Sequence, residues 1–115
     1  MIPPPRVVSH WLVAALLAKA EAEGGFGAVL ARGDPEAGSI LVVLRERNGD
    51  SCLYERLLGA EGAYRWQESA RRGADAPGGW REFLEKARKF DRDLWIIELD
   101  IASSERFAAE MNAIG

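Results

Sequence analysis

Cysteine and histidine are almost missing from this sequence, which has one of each among its 115 residues. With Cys52 alone the chain cannot close an internal disulfide, and with His10 as its single histidine it cannot build a Cys/His zinc site. No apolar run approaches the roughly 20 residues of a membrane-spanning helix, and the N-terminus lacks the pattern of a secretory signal peptide. We therefore expect a cytoplasmic protein that makes no membrane contact.

A charge excess of either sign is also missing, because 15 basic side chains stand against 18 acidic ones and the net charge is −3. Such a chain has no overall attraction for phosphate backbones, which argues against a nucleic-acid partner unless a local basic patch exists. Apolar material is plentiful, since 48% of the residues are hydrophobic and four are tryptophans. This length and composition predict one globular domain over residues 1–115.

Apolar residues recur at helical spacing in three segments, which predicts helices over residues 10–23, 79–90 and 104–113. Ser9 precedes the first helix and is predicted to be its N-cap. The second helix carries an apolar stripe, which consists of Trp80, Phe83, Leu84, Ala87 and Phe90. We expect this stripe to belong to the core.

β-Branched and alternating residues predict strands over residues 26–32, 39–45, 51–57, 64–67 and 94–100. The dipeptide Asn48-Gly49 predicts a type I′ hairpin that places Leu44 opposite Leu53, because both turn positions tolerate positive φ. The glycine-rich stretch SARRGADAPGG, residues 69–79, is predicted to be a loop. The strand over residues 39–45 is heavily apolar, which indicates that both of its faces are partly covered, and a second copy of the chain in a homodimer could supply the second cover.

The order of these elements predicts an α+β fold. We expect a mainly antiparallel sheet of four or five strands, packed by the N-terminal helix and by the second helix near residues 79–90. The pattern of the last strand indicates burial but does not say where in the sheet this strand pairs.

Two segments of the chain resemble a known family. VSHWLVAALLAKAEAEGGFGAVLARGDPEAGSILVVL and FDRDLWIIELD are similar to an uncharacterised bacterial family, the domain of unknown function numbered 1491. The similarity extends from about Arg6 to Asp100, and RGDPEAG and FDRDLW are its most specific pieces. The resemblance implies no activity, cofactor or partner, so it assigns no functional residue in this chain.

The stretch FDRDLWIIELD raises the question of a metal site, because it holds four acids and divalent cations bind convergent oxygens. Glu98 and Asp100 are two residues apart on a strand, which places them on one face about 6 to 7 Å apart. Asp34 or Asp50 could supply a third oxygen from another element. Asp91 and Asp93 are instead predicted to end the helix and turn the chain through side-chain hydrogen bonds. The alternative for Glu98 and Asp100 is a charged strand end in water.

The segment RGDPEAG, residues 32–38, has the composition of a hairpin loop and lacks the Gly-x-x-x-x-Gly-Lys pattern of a phosphate loop. No cofactor is therefore expected. Exposed loops often carry binding residues, so Arg32 and Asp34 of this loop are candidate binding residues. Glu98 and Asp100 of the last strand are the other two candidates, because their carboxylates lie on one face. His10 has no second histidine or obvious nucleophile to work with, and Cys52 is expected to be a buried, inert thiol.

Three functions remain open from the sequence. We favour a non-catalytic module that binds a protein partner or a small ligand, because no nucleophile, metal cluster or cofactor loop stands out. The alternative is a small metal-dependent enzyme that acts on phosphate esters through the three acids Asp34, Glu98 and Asp100. A further alternative is nucleic-acid binding through the basic residues near the second helix, which are Arg71, Arg72 and Arg88.

Overall fold

The computed structural model of the chain describes residues 8–76 and 79–114. Within them lie three α-helices and one five-stranded sheet. The elements in chain order are α1 (Ser9–Ala22), β1 (Phe26–Ala31), β2 (Ile40–Arg45), β3 (Ser51–Leu58), β4 (Tyr64–Arg72), α2 (Arg81–Phe90), β5 (Trp95–Asp100) and α3 (Ser104–Ile114). The strand order is β1-β5-β2-β3-β4. Every pair is antiparallel except β2 with β5, so the α+β prediction is confirmed.

The last strand lies inside the sheet, between β1 and β2. β5 contains WII, and all three side chains are buried, as in a central strand of a sheet that is covered on both faces. β5 runs antiparallel to β1 and parallel to β2, with Val43 beside Glu98 and Arg45 beside Asp100. This parallel pair brings two segments more than 50 residues apart into register.

The sheet has two covered faces. On one of them, the α1/α3 face, large apolar side chains are fully buried between the helices and the strands. They include Leu12, Leu16, Leu44, Ile97, Leu99, Phe107 and Met111. Full burial of one such side chain contributes about 1.5–3 kcal/mol. The other, the α2 face, carries Leu41, Val43, Leu53, Leu94 and Ile96 beneath Trp80 and α2. Both faces of β2 are therefore covered, as predicted, and α2 is the second cover.

The cover that α2 gives is partial. No residue of α2 is fully buried, although Trp80 just before it is 5% exposed. Trp80, Leu84 and Ala87 meet the sheet, whereas Phe83 and Phe90 are 42% and 96% exposed, so the predicted core stripe was wrong for these two. At 100° per residue, the two phenylalanines lie about 60–80° away from Trp80 around the helix axis, on its open side.

The β2–β3 hairpin forms where it was predicted, but its turn type and register were wrong. Leu44 pairs with Cys52, one residue away from the predicted partner Leu53. The Gly49 N–H donates to the Glu46 carbonyl at 2.9 Å, and among the described residues positive φ is restricted to glycines. Asn48 therefore cannot fill a type I′ position, and a longer loop that ends on Gly49 shifts the register by one.

β4 extends further than its sequence pattern indicated. Residues 70–72, which the glycine-rich stretch assigned to a loop, pair with β3, and Ser69 forms a bulge opposite Leu53 and Tyr54. The charged residues of this strand are compatible with an edge position, where one side of the backbone faces water. No helix among the described residues is long and apolar enough to cross a membrane.

Candidate functional site

Glu98 and Asp100 lie on the α2 face of β5, as their spacing predicted, and an arginine lies between them. The Nε of Arg45 is 2.8 Å from Glu98 Oε1 and 4.0 Å from Asp100 Oδ1. The parallel register of β2 and β5 places this arginine there, so the sequence alone gave no signal for it. Across residues 8–76 and 79–114, no group of three or more His, Cys, Asp or Glu side chains could hold a metal ion.

Asp34 lies at the opposite end of β5 from this pair. Its backbone N–H donates to the Asp93 carbonyl at 3.0 Å, and its carbonyl accepts the Trp95 indole N–H at 2.7 Å. Glu98 is five residues beyond Asp93, which corresponds to roughly 16 Å along a strand. The structure therefore does not bring Asp34 together with Glu98 and Asp100.

The side chain of Asp34 organises its own loop. Its Oδ2 accepts the backbone N–H groups of Glu36 and Ala37, at 3.2 Å and 2.7 Å. Arg32, at the start of the loop, places its guanidinium 5.7 Å from the centre of the Trp95 ring. These contacts give both residues structural partners, and their role in binding stays a prediction.

The same loop caps α1, which corrects the role predicted for Ser9. Ser9 is the first residue of the helix, and Val8 holds the N-cap position without a side-chain hydrogen bond. The loop carbonyls of Pro35 and Glu36 accept the N–H groups of His10 and Ser9, at 2.8 Å and 3.1 Å. Backbone oxygens thus satisfy helix donors that otherwise lack partners.

Asp91 and Asp93 form the turn that the sequence predicted. Asp91 Oδ1 accepts the Asp93 backbone N–H at 3.0 Å, directly after α2 ends. An aspartate that bonds a backbone N–H two residues on is a common way to turn a chain. These two acids are therefore separate from the carboxylates at the far end of β5.

The basic residues proposed for nucleic acid do not share one surface. The register of β3 and β4 directs Arg71 to the α1/α3 face, where it pairs with Glu68 at 2.6 Å, and Arg72 to the α2 face. Arg72 lies 4.6 Å from the centre of the Trp80 ring, and its buried Nε has no hydrogen-bond partner among the described residues. Arg88 lies further along α2.

Neither Cys52 nor His10 has the surroundings of a catalytic residue. Burial raises the pKa of the Cys52 thiol, and burial also raises the pKa of Tyr54 beside it to about 12. A thiol in this state is a poor nucleophile, because the thiolate is the reactive form. His10 is exposed, and its Nδ1 lies 3.0 Å from the Pro35 carbonyl.

The incomplete cover by α2 leaves an open groove on the α2 face of β1, β5 and β2. This α2 groove has a volume of about 460 Å³, within the range of small-molecule sites. Its apolar lining consists of Leu30, Ala31, Val43, Trp80, Leu84 and Ile96. Its charged lining consists of Arg45, Arg81, Glu85, Arg88 and Glu98. Of the predicted binding residues, Glu98 alone lines it.

Sequence reasoning missed this groove because its walls come from four elements. The floor requires the β1–β5–β2 order, and the opening requires α2 to rest on a narrow row of residues. The sequence gave no signal for the opening, because Phe83 and Phe90 widen the apolar stripe of α2 to that of a packed helix, and only the structure shows these two side chains exposed.

Comparison with known proteins identifies the family. The family model described as protein of unknown function (DUF1491) matches residues 7–109. None of the curated proteins compared with the sequence matches it.

Solved structures of bacterial proteins have the same fold. The crystal structure of a DUF1491 family protein from Caulobacter crescentus, at 1.87 Å resolution, has 28% identity and a TM-score of 0.76, over 89% of this chain and 94% of that one. The solution structure of protein Atu0922 from A. tumefaciens has 30% identity and a TM-score of 0.72, over 90% and 93%. With the family model covering nearly the whole chain, this protein belongs to the DUF1491 family of proteins of unknown function.

Proposed function

We propose that this protein is a non-catalytic binding module and that the α2 groove is its ligand site. The observation that carries the proposal is the apolar lining of a groove of about 460 Å³: Val43 and Ile96 lie nearly fully buried at its base, and the partly exposed Leu30, Ala31 and Leu84 line its sides. A concave apolar surface with a few charged groups at its rim is the usual form of a small-molecule site.

The metal-dependent alternative has less support. Arg45 already neutralises Glu98, and a cation at Glu98 and Asp100 would have to displace its guanidinium. Asp34, the third expected ligand, lies at the other end of β5. We further propose a cytoplasmic location, which is compatible with a free, buried Cys52.

The proposal is tested by titrating ¹⁵N-labelled protein with a small neutral probe, 1-octanol, and following the amide and indole signals by NMR. We expect saturable shifts at Leu30, Val43, Leu84 and Ile96, together with the indole N–H of Trp80. Chemical-shift changes scattered over the surface would refute the groove as a ligand site. Changes that do not saturate, either with 1-octanol or with the charged octyl compounds described below, would refute it as well.

A pair of variants on one strand controls for nonspecific binding. Ala31→Phe fills the groove from its rim without removing a packed side chain, so it should abolish the saturable shifts. Val29→Phe adds a ring to the same strand, but Val29 pairs with Ile97 and therefore belongs to the opposite face of the sheet. Binding by this second variant should match the unsubstituted protein.

A further inference from the structure

Among the residues that the structure describes, every charged side chain of the α2 groove except Arg88 has a partner of opposite charge. Arg45 pairs with Glu98 at 2.8 Å, and Arg81 pairs with Glu85 at 3.2 Å. Arg88 is half-buried and has no carboxylate within 4.0 Å among the described residues. Three arginines against two glutamates leave one positive charge in the lining, and that charge belongs to Arg88.

The surface beyond Arg88 adds to this positive charge. A second, shallower concavity shares Arg88 and Glu85 with the groove, and Lys89 and Arg92 line the rest of it. This end of the groove is therefore basic, although the whole chain has a net charge of −3. A local field of this sign attracts anions to one end of an otherwise apolar site.

The chemistry of arginine narrows the ligand further. A guanidinium binds planar carboxylates and phosphates through paired hydrogen bonds, and it is more weakly hydrated than an ammonium group, so it suits a partly buried anion site. The acids in the lining do not oppose such a ligand, because each already has its own arginine.

We infer that the α2 groove binds an amphiphile with one carboxylate or phosphate head and a short apolar tail. Arg88 holds the head at the basic end, and the tail lies along Leu30, Ala31 and Leu84. The inference rests on the proposed function, since it names the class of ligand for the same site.

Four probes of equal tail length test it: octanoate, octyl phosphate, 1-octanol and octylammonium, each titrated into the labelled protein at low salt. We expect octanoate or octyl phosphate to bind about tenfold more tightly than octanol, which is the effect of one charge-assisted contact near the surface. The stronger of the two anions identifies the head group. Octylammonium should bind more weakly than octanol.

Two substitutions in α2 distinguish a direct contact between Arg88 and the anionic head from a long-range effect of positive charge. Arg88→Gln should weaken the binding of the preferred anion about tenfold and change octanol binding less than twofold. Lys86→Gln removes the same charge from a side chain that is 79% exposed and paired with Glu82, so it should leave every probe unchanged.

The outcomes distinguish this inference from the proposed function. Equal binding of octanol and both anions, or preferred binding of octylammonium, overturns the inference and leaves the binding module intact. An equal loss in Arg88→Gln and Lys86→Gln also overturns it, because the effect would then be long-range charge. Absence of saturable binding by all four probes overturns the proposed function itself.

Discussion

Glu46 holds the start of α3 across 58 residues of sequence, and its removal tests how the terminal helix is attached. One carboxylate oxygen accepts both the backbone N–H of Ser104, at 2.8 Å, and its hydroxyl, at 3.0 Å. Ser104 is the first residue of α3 and is only 3% exposed. A carboxylate at this position also faces the positive end of the helix dipole. We therefore predict that Glu46→Ala loosens α3 from the sheet.

The size of the effect follows from what Ser104 loses. Each hydrogen bond to a charged group contributes about 1.5–3 kcal/mol, and a buried donor left without a partner costs about 1–3 kcal/mol. Glu46 is half-buried, so water offsets part of this, and the two hydrogen bonds share one oxygen and do not add. We expect the free energy of unfolding to fall by about 2–3 kcal/mol, which lowers Tm by roughly 10 °C in a chain of this size.

Urea denaturation followed by circular dichroism measures this loss. Glu46→Gln keeps an acceptor oxygen without the charge, so it should lose about 1 kcal/mol. In a double-mutant cycle with Ser104→Ala, the two substitutions should couple by about 1–2 kcal/mol. A loss below about 0.5 kcal/mol for Glu46→Ala, or a coupling of zero, would refute the reasoning, since ordinary surface substitutions have effects of that size.

Three further predictions concern other parts of the chain. Burial raises the pKa of Tyr54 from 10.0 to about 12, so between these pH values the folded state keeps the phenol proton that the unfolded state loses. The free energy of unfolding should therefore fall as the pH rises from 10 to about 12. An ultraviolet absorbance titration in which this tyrosine ionises near pH 10 would contradict its burial. Gly33→Ala would bring a Cβ into collision with the backbone oxygen of Asp93, so urea denaturation should show a loss of about 2–3 kcal/mol. Gly73→Ala, whose Cβ would have its nearest contact at 3.8 Å, should change stability by less than about 0.5 kcal/mol. The homodimer stays a prediction; β1 is an edge strand among the described residues and has no charged side chain, so we expect it to form the interface. Ala28→Cys should then form a disulfide-linked dimer, and equal cross-linking of Gln67→Cys on the β4 edge would exclude this interface.

The positions of most elements could be predicted because helical and strand periodicity are local properties. The predicted bounds of α1, β2, β3 and α3 differ from the structure by about one residue at each end. Prediction was less accurate where a tertiary neighbour decides the outcome. The end of β4 forms because β3 lies beside it, and the cap of α1 comes from a loop that is 25 or more residues away.

The candidate site was less accessible to sequence reasoning than the fold. Spacing along β5 placed Glu98 and Asp100 on one face, which the structure confirms, but spacing cannot report what stands on the next strand. Arg45 and Arg88 became relevant through the strand order and the position of α2. A sequence window contains neither of these facts.

The sequence by itself determined the α+β class, the places of the helices and most strand bounds, and the division of β5 into an apolar face of Trp95, Ile97 and Leu99 and a mixed face that ends on acids. These properties follow from side-chain alternation, which acts over a few residues. The tertiary structure alone decided that β5 lies between β1 and β2, that Arg45 neutralises Glu98, and that a groove remains beside α2, in which Arg88 has no carboxylate partner among the described residues. These depend on contacts between distant segments, where packing and charge pairing of the whole chain select one arrangement.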